Sequence, residues 1–414
     1  MKIIVIGAGV VGLASAWWLA RDGHAVTVVD RADAVGSGTS FANGAQLSYS
    51  YVAPMASRAV LASLPKFLLA RDSPVRFVPS ADPAQWRWIF DFLRACNANA
   101  AALGTARLLA LSFASRDALH EMVAASSLVF DHRCPGKLVV YSSRAGMADA
   151  EAQMRLQAAF GCAQSALTAA QCLELEPGLG SIAGRLVGGI HTPSEEVGDC
   201  RMLCAELQRV LTPGVAFRLG TEIRALRTEQ GRVMGLETAH GAMEAELYVL
   251  AAGNGSVGLG RQAGLRVPVL PIRGYSITAA VRNGNLAPTR SITDVARKTV
   301  FAPLGANVRV AGFAEIGGRQ AGLPAGRIAT LVDALASTFP GACALDDVAP
   351  WSGLRPSTPT DIPAIGPTRL GNLWVNLGHG SLGFTLAAGS GRLLADMVAG
   401  RRPAVAADDY ALAA

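Results

Sequence analysis

This chain has little charge and few aromatics: 16% of its 414 residues are Asp, Glu, Lys or Arg, and aromatic residues make up only 6%. Set against 51% hydrophobic residues, that composition excludes a disordered chain and allows a core large enough for two domains. Basic residues exceed acidic ones by 37 to 31, but they are scattered and no basic cluster is interleaved with aromatics. That argues against nucleic-acid binding and leaves anionic substrates or a lipid surface open. The seven cysteines are odd in number and include no C-x-x-C, which speaks against a disulfide framework. Cys200 and Cys204 lie four apart on a predicted helix, with no His or acid spaced to complete a tetrahedral set, so no metal is expected. A reduced, cytoplasmic protein is the expectation. Beyond the opening residues, no apolar run approaches membrane length.

The opening itself, "MKIIVIGAGVVGLASAWWLARDGHAVTVVDR", has no charge from Ile3 to Ala20. It admits a signal peptide, a membrane span or a nucleotide-binding turn. Gly7, Gly9 and Gly12 stand in G-x-G-x-x-G register after the strand "KIIVI". In that register the first glycine permits the tight turn, the second lets a pyrophosphate approach, and the third lets the helix pack on the strand. A helix from Val10 to Arg21 and a second strand "AVTVV" follow, with Asp30 at its end. A carboxylate there is placed for ribose hydroxyls, and a signal peptide has no reason to continue into such a unit. Dinucleotide binding is the reading these residues favour.

Further along, "SGTSFANGAQLSYSYVAP" is polar and glycine-rich, suited to a loop over a polar ligand. Residues 54–130 have a helical pattern, in which Trp86, Ile89, Phe90 and Leu93 predict a core-facing stripe. The stretch "SRAVLASLPKFLLARDSPVRFV" fits a solvated helix face or one lying on a membrane. "RGYSITAAV" and "KTVFAPLGANVRVAGFAEIGG" alternate with period two and predict a half-exposed sheet. The C-terminal turn "HGSLGF" opens another helix, a second backbone donor site. After Asp30 the strand-helix alternation of a continuous nucleotide domain fails, and that domain is resumed near 190 and near 350.

This interleaved layout, with "TSFANGAQLS", "AELYVLAAGNGS", "PIRGYS", "GLRPSTPTDIPAIG" and "NLWVNLGHGSLGFTLAAGSGRLLADMV", resembles the FAD-dependent amino acid oxidoreductases over essentially the whole chain. Within that superfamily it resembles the quinone-linked D-amino acid dehydrogenase small subunits. The resemblance implies an α/β fold: a Rossmann-like FAD domain of the glutathione-reductase-like type (1–54, 187–272, 350–414), interleaved with an α+β substrate domain (55–186, 273–349) built on a mixed, largely antiparallel sheet. It further implies that Gly7, Gly9, Val10, Val11, Gly12, Asp30 and Arg31 hold the ADP half of FAD. Thr39, Ser40, Asn43 and Gln46 would line its pyrophosphate and flavin side, with Ile223 meeting adenine and Gly253 beside the phosphates or sugar. Gly378, His379, Gly380, Leu382 and Gly383 would bring a turn and a helix start to the flavin ring, where negative charge develops on reduction. Arg355 would fork onto a substrate carboxylate, with Tyr275 and Tyr51 closing the pocket.

The implied reaction is oxidation of a D-amino acid by hydride loss from Cα, with electrons passed to a quinone or another acceptor. Residues 55–95 would then be a peripheral contact with the inner face of the cytoplasmic membrane or with a partner. Two departures from the family matter. "SGLRPSTPTDIP" has no cysteine, which implies non-covalent FAD, and "TDVARKTVFAP" differs from alanine-active members, which points to D-proline or 4-hydroxy-D-proline. A flavin-carrying subunit of a heteromeric dehydrogenase, an O2-using oxidase of the same superfamily and an NAD-dependent dehydrogenase stand as alternatives.

Overall fold

The protein was analysed as a computed structural model, which describes residues 1–57, 60, 75–317 and 322–412. Two sheets organise it. The first has six strands in the order Ala364–Pro367, Leu373–Leu377, Leu247–Leu250, Lys2–Ile6, Ala25–Val29, Ala216–Arg218. All neighbours are parallel except the pair Ala364–Pro367 and Leu373–Leu377. Its central strands are apolar without alternation because both faces are covered: every residue of Leu247–Leu250 and all but the first of Lys2–Ile6 are buried. On one face lies the helix Val10–Arg21, against the last helix, Gly383–Val398, which in turn meets the long helix Ala98–Ser126. Small residues make these approaches: a Cβ on Gly391 would sit 2.9 Å from the backbone at Ala14 and Ser15. The other face carries a small antiparallel sheet, Ile223–Glu229, Arg232–Thr238 and Gly241–Met243.

The second sheet has nine strands. Its order runs Ala349–Ser357, Leu270–Ala280, Asn307–Ile316, Thr299–Leu304, Ser291–Asp294, Lys137–Tyr141, Gly188–Thr192, Ser165–Thr168, with Val75–Phe77 added beside Asn307–Ile316. It is mostly antiparallel; the pairs 137–141 with 291–294 and 75–77 with 307–316 are parallel. The chain thus leaves and rejoins the six-stranded sheet twice. The stretch 188–192, allotted to the nucleotide part by sequence, pairs in the nine-stranded sheet.

Two sequence expectations fail here. The sheet expected to be half-exposed is buried on both faces along Leu270–Ala280, Thr299–Leu304 and most of Asn307–Ile316. Helix Ala325–Thr338 covers one side, with Leu331 and Leu335 in its core. The 39–50 loop covers the other, where Ala45 packs on Ala302 and Leu304 and the Ser276 hydroxyl donates to Ala42 O at 2.6 Å. The second failure is the stripe on helix Pro83–Ala95. Trp86, Phe90 and Leu93 are 50%, 58% and 40% exposed, whereas Gln85, Trp88 and Phe92 are the buried face and Ile89 lies at its margin. Two apolar stripes interleave on this helix, and the one that docks has polar anchors: Trp88 Nε1 donates to Ser357 O at 2.8 Å and Gln85 Nε2 to Val78 O at 2.8 Å. Of "SRAVLASLPKFLLARDSPVRFV", residues 58–59 and 61–74 lie outside the described residues.

Candidate active site

Between the two sheets lies a cavity of about 1180 Å3, larger than the ~300–1,000 Å3 typical of a single small ligand. There is room for an extended cofactor and a substrate together. Its first wall is the glycine turn between Lys2–Ile6 and Val10–Arg21. Gly7 has φ +119°, and a Cβ there would meet Ala251 O at 2.4 Å. A Cβ on Gly12 would fall 1.9 Å from Gly7 O, so Gly12 sits behind the turn and outside the cavity wall. Gly9 differs: a Cβ there would meet nothing closer than Ser40 Oγ at 3.5 Å, so the protein itself does not require glycine at this place. Space kept open toward the cavity fits a ligand backing onto the turn.

Asp30 holds the turn together, accepting from Ala8 N at 2.7 Å through one oxygen and from Ala32 N at 2.9 Å through the other. Ser40 Oγ accepts from Val10 N at 3.1 Å, and Thr39 donates to Leu354 O at 2.7 Å. Val10, Val11, Arg31, Asn43, Ile223 and Gly253 also line the cavity. Asn43 caps its own loop by accepting from Ala45 N at 3.0 Å. Gln46 joins the wall to a buried network: its Oε1 accepts from Lys137 Nζ at 3.0 Å, and Lys137 also donates to Ser48 Oγ at 2.9 Å. Burial draws the Lys137 pKa down to about 8 against the opposing pull of Glu195, whose own carboxyl burial pushes up.

The opposite end is built by the turn after Leu373–Leu377. Gly378 and Gly380 have φ +82° and +54°, and His379 between them is 3% exposed. Burial lowers the His379 pKa to about 3, so the imidazole is neutral. Gly378, His379, Gly380 and Gly383 line the cavity. Leu382 does not; its amide donates back to His379 O at 3.0 Å.

Arg355 reaches the same cavity from strand Ala349–Ser357. Its guanidinium lies across Gly274, where a Cβ would come within 2.4 Å of Nη2, and Nη1 donates to Phe313 O at 3.0 Å. That carbonyl is aimed by an irregularity: Phe313 has φ +66°, opposite the register shift between Arg273 and Tyr275. Such strain in a bulky residue persists where the surrounding ladder imposes it. Among the described residues no carboxylate pairs with Arg355, and burial pulls its pKa down. Tyr275 lines the cavity, but its hydroxyl is committed to Glu315 Oε2 at 2.8 Å; burial and then that carboxylate push its pKa up to about 12. Tyr51, 42% exposed, also lines the cavity, with Lys137 Nζ 4.2 Å from its ring centre.

Several wall residues escaped the sequence reading, among them Asn254, Thr293 and Asn376. Asn254 Oδ1, Thr293 Oγ1 and Asn376 Oδ1, together with Nε2 of the expected His379, are buried polar atoms of cavity-lining residues with no hydrogen-bond partner. Buried polar groups are rarely left so, and their concentration here marks where a polar ligand completes the protein. Together with the cradle at Gly9, these atoms fit a dinucleotide. Asn254 stands in "AAGNGS", where the Asn was the available signal; Arg273, 6% exposed in the wall, had none beyond its neighbours in "PIRGYS".

Comparison with known proteins agrees with this geometry. The model of the FAD dependent oxidoreductase family matches residues 2–397. A protein from Ralstonia nicotianae named D-amino acid dehydrogenase 2 is 46% identical, with all of both chains covered. A D-amino acid dehydrogenase from Paramagnetospirillum magneticum is 42% identical, over 99% of this chain and 97% of its own. Among solved structures, glycine oxidase from Geobacillus kaustophilus superposes with a TM-score of 0.77 at 22% identity, over 100% of this chain and 98% of its own.

Proposed function

The chain belongs to the FAD dependent oxidoreductase family, and from that premise we propose that it is a D-amino acid dehydrogenase with non-covalently held FAD. The names and full-length similarity of its relatives support the substrate class. The observation that carries the reading is Arg355: a cavity-lining guanidinium with no acidic partner among the described residues. Such a half-buried guanidinium, free of acidic partners, is suited to a substrate carboxylate, which it can meet with two parallel charge-assisted hydrogen bonds.

When bound, FAD supplies the two-electron acceptor for the hydride that leaves the substrate Cα. The turn 7–12 and Asp30 would hold its ADP half. Asn43 and Gln46 would border the ring, and the 378–383 turn would present backbone N–H groups to it. Arg355 fixes the carboxylate and so orients Cα, the main contribution to rate expected of the protein. The imino product leaves and hydrolyses to a 2-oxo acid and ammonia; a cyclic substrate yields a cyclic imine. No cysteine lines the cavity among the described residues, which supports non-covalent cofactor binding.

For the side chain, Val300, Ala311 and Phe313 in the wall favour an apolar or cyclic group, with Thr293 Oγ1 free to meet a ring hydroxyl. D-proline and 4-hydroxy-D-proline fit that description. Electrons pass to a quinone or another acceptor rather than mainly to O2. The exposed Trp86, Phe90 and Leu93 support a membrane or partner contact through residues 55–95. No helix among the described residues is long and apolar enough to cross a membrane.

The test is turnover by the purified chain with D-alanine, D-proline and their L forms, using an artificial dye or O2 as acceptor. D-specific dye reduction without matching peroxide supports the proposal. Activity only after adding a second protein would favour a flavin-carrying subunit instead, and stoichiometric peroxide an oxidase.

A further inference from the structure

Away from the cavity, three side chains from distant points of the chain converge. His120, on helix Ala98–Ser126, brings Nε2 to 2.6 Å from Glu196 Oε1. His132, in the segment after that helix, brings Nε2 to 2.8 Å from Glu196 Oε2. The donor atoms of all three lie within 4.8 Å of one another. Glu196 is 3% exposed, belongs to the short strand paired with Gln46–Leu47, and accepts a further bond from the Tyr49 hydroxyl at 2.9 Å. The His132 ring is stacked flat on Phe130, with centroids 4.9 Å apart. The His120 side chain is 47% exposed, which leaves one side of the group open to solvent.

We propose that His120, His132 and Glu196 form a binding site for a borderline divalent cation, with Zn2+ as the representative ion. Two imidazole nitrogens and one carboxylate oxygen suit Zn2+, whereas Ca2+ and Mg2+ favour oxygen-rich sets. Tetrahedral zinc with ~2.0 Å bonds sets its donors roughly 3.3 Å apart. The present spacing brackets that value, and half-exposed His120 has the freedom to close the difference while water takes the fourth position. The Tyr49 bond to Glu196 is the kind of outer contact that holds a ligating carboxylate in place. The hydrogen-bonded His–Glu–His arrangement already gathers the three side chains around one point. The ion would tie the long helix to the strand bordering Gln46, as a clamp outside the cavity. The ligands are 12 and 64 residues apart in sequence, beyond the reach of spacing rules.

The experiment is calorimetric titration of chelator-treated, FAD-loaded protein with Zn2+ and, separately, Ca2+ at pH 7.5, alongside thermal unfolding. One Zn2+ per chain is expected, with a raised Tm and no response to Ca2+. His120→Ala and His132→Ala should each weaken binding at least about tenfold and abolish the Tm shift, while His240→Ala at an exposed turn should leave both intact. His120→Ala alone suffices if the His132 variant fails to fold. Absence of binding, or binding unchanged in His120→Ala, overturns the proposal.

Discussion

Replacing Arg355 by alanine removes two charge-assisted hydrogen bonds to the substrate, each worth about 1.5–3 kcal/mol. kcat/KM for a D-amino acid should fall by about 10^2–10^4, with the bound-flavin spectrum unchanged. Arg355→Lys keeps the charge without the fork and should recover only part of that loss; steady-state kinetics with a dye acceptor checks both. Lys137 carries a structural burden of the opposite kind. Lys137→Ala removes the donor to Gln46 Oε1 and Ser48 Oγ and the positive charge opposing buried Glu195, and should lower the midpoint of urea unfolding. His379 yields a pH prediction. Its pKa falls from 6.5 to about 3 on folding, so below pH 6.5 the unfolded chain binds more protons and stability declines as pH drops. Between pH 7 and 5 the wild type should lose about 2 kcal/mol more than His379→Gln. Equal losses would show that the imidazole is not held neutral. At this scale the sequence displayed Arg355 in its "GLRP" setting, but gave no sign that Phe313 would turn its carbonyl to meet it. A positive φ in a strand residue follows from a ladder irregularity, which no local pattern announces.

Among the elements, the opening strand-turn-helix was readable to the residue, because its signals are local: apolar strand, three glycines in register, acid at the second strand's end. Two of those glycines serve different masters. Gly12→Ala drives a methyl into Gly7 O and should destabilise the protein whether or not FAD is present. Gly9→Ala meets only Ser40 Oγ and should leave the apoprotein's Tm unchanged while lowering FAD affinity at least about tenfold, a comparison of apo unfolding with flavin-fluorescence titration. The helix Pro83–Ala95 was legible as a helix, not in its orientation. Period 3.6 is satisfied by the stripe of Trp86, Phe90 and Leu93 as well as by Gln85, Trp88 and Phe92, and only the docking of Trp88 onto Ser357 O decides between them. Likewise the period-two alternation of "RGYSITAAV" correctly marks a strand. It misjudges the burial because a strand's outer face is known only once the 39–50 loop is seen lying over it.

For the molecule as a whole, the cavity lies in the seam between the two sheets, so its lining residues come from several segments far apart in the chain, from Ile6 to Phe384, with none from 76–220. That dispersal explains why fold class and cofactor turn were visible in sequence while Asn254, Thr293 and Asn376 were not: their common feature is a shared wall. It also makes the cofactor part of the fold. With free FAD at a hundred times its Kd, removal should cost about 2.7 kcal/mol and lower the Tm in a concentration-dependent way; a Tm indifferent to FAD would place the cofactor elsewhere. The claim joining cofactor, substrate class and Arg355 is tested most directly by one recording: the visible spectrum of the purified protein under anaerobic conditions, before and after D-alanine, D-proline or their L forms. Oxidised-flavin bands that bleach with a D form alone are the expected result, with Arg355→Ala bleaching far more slowly. A colourless protein that does not take up FAD, or bleaching confined to L forms, would contradict it.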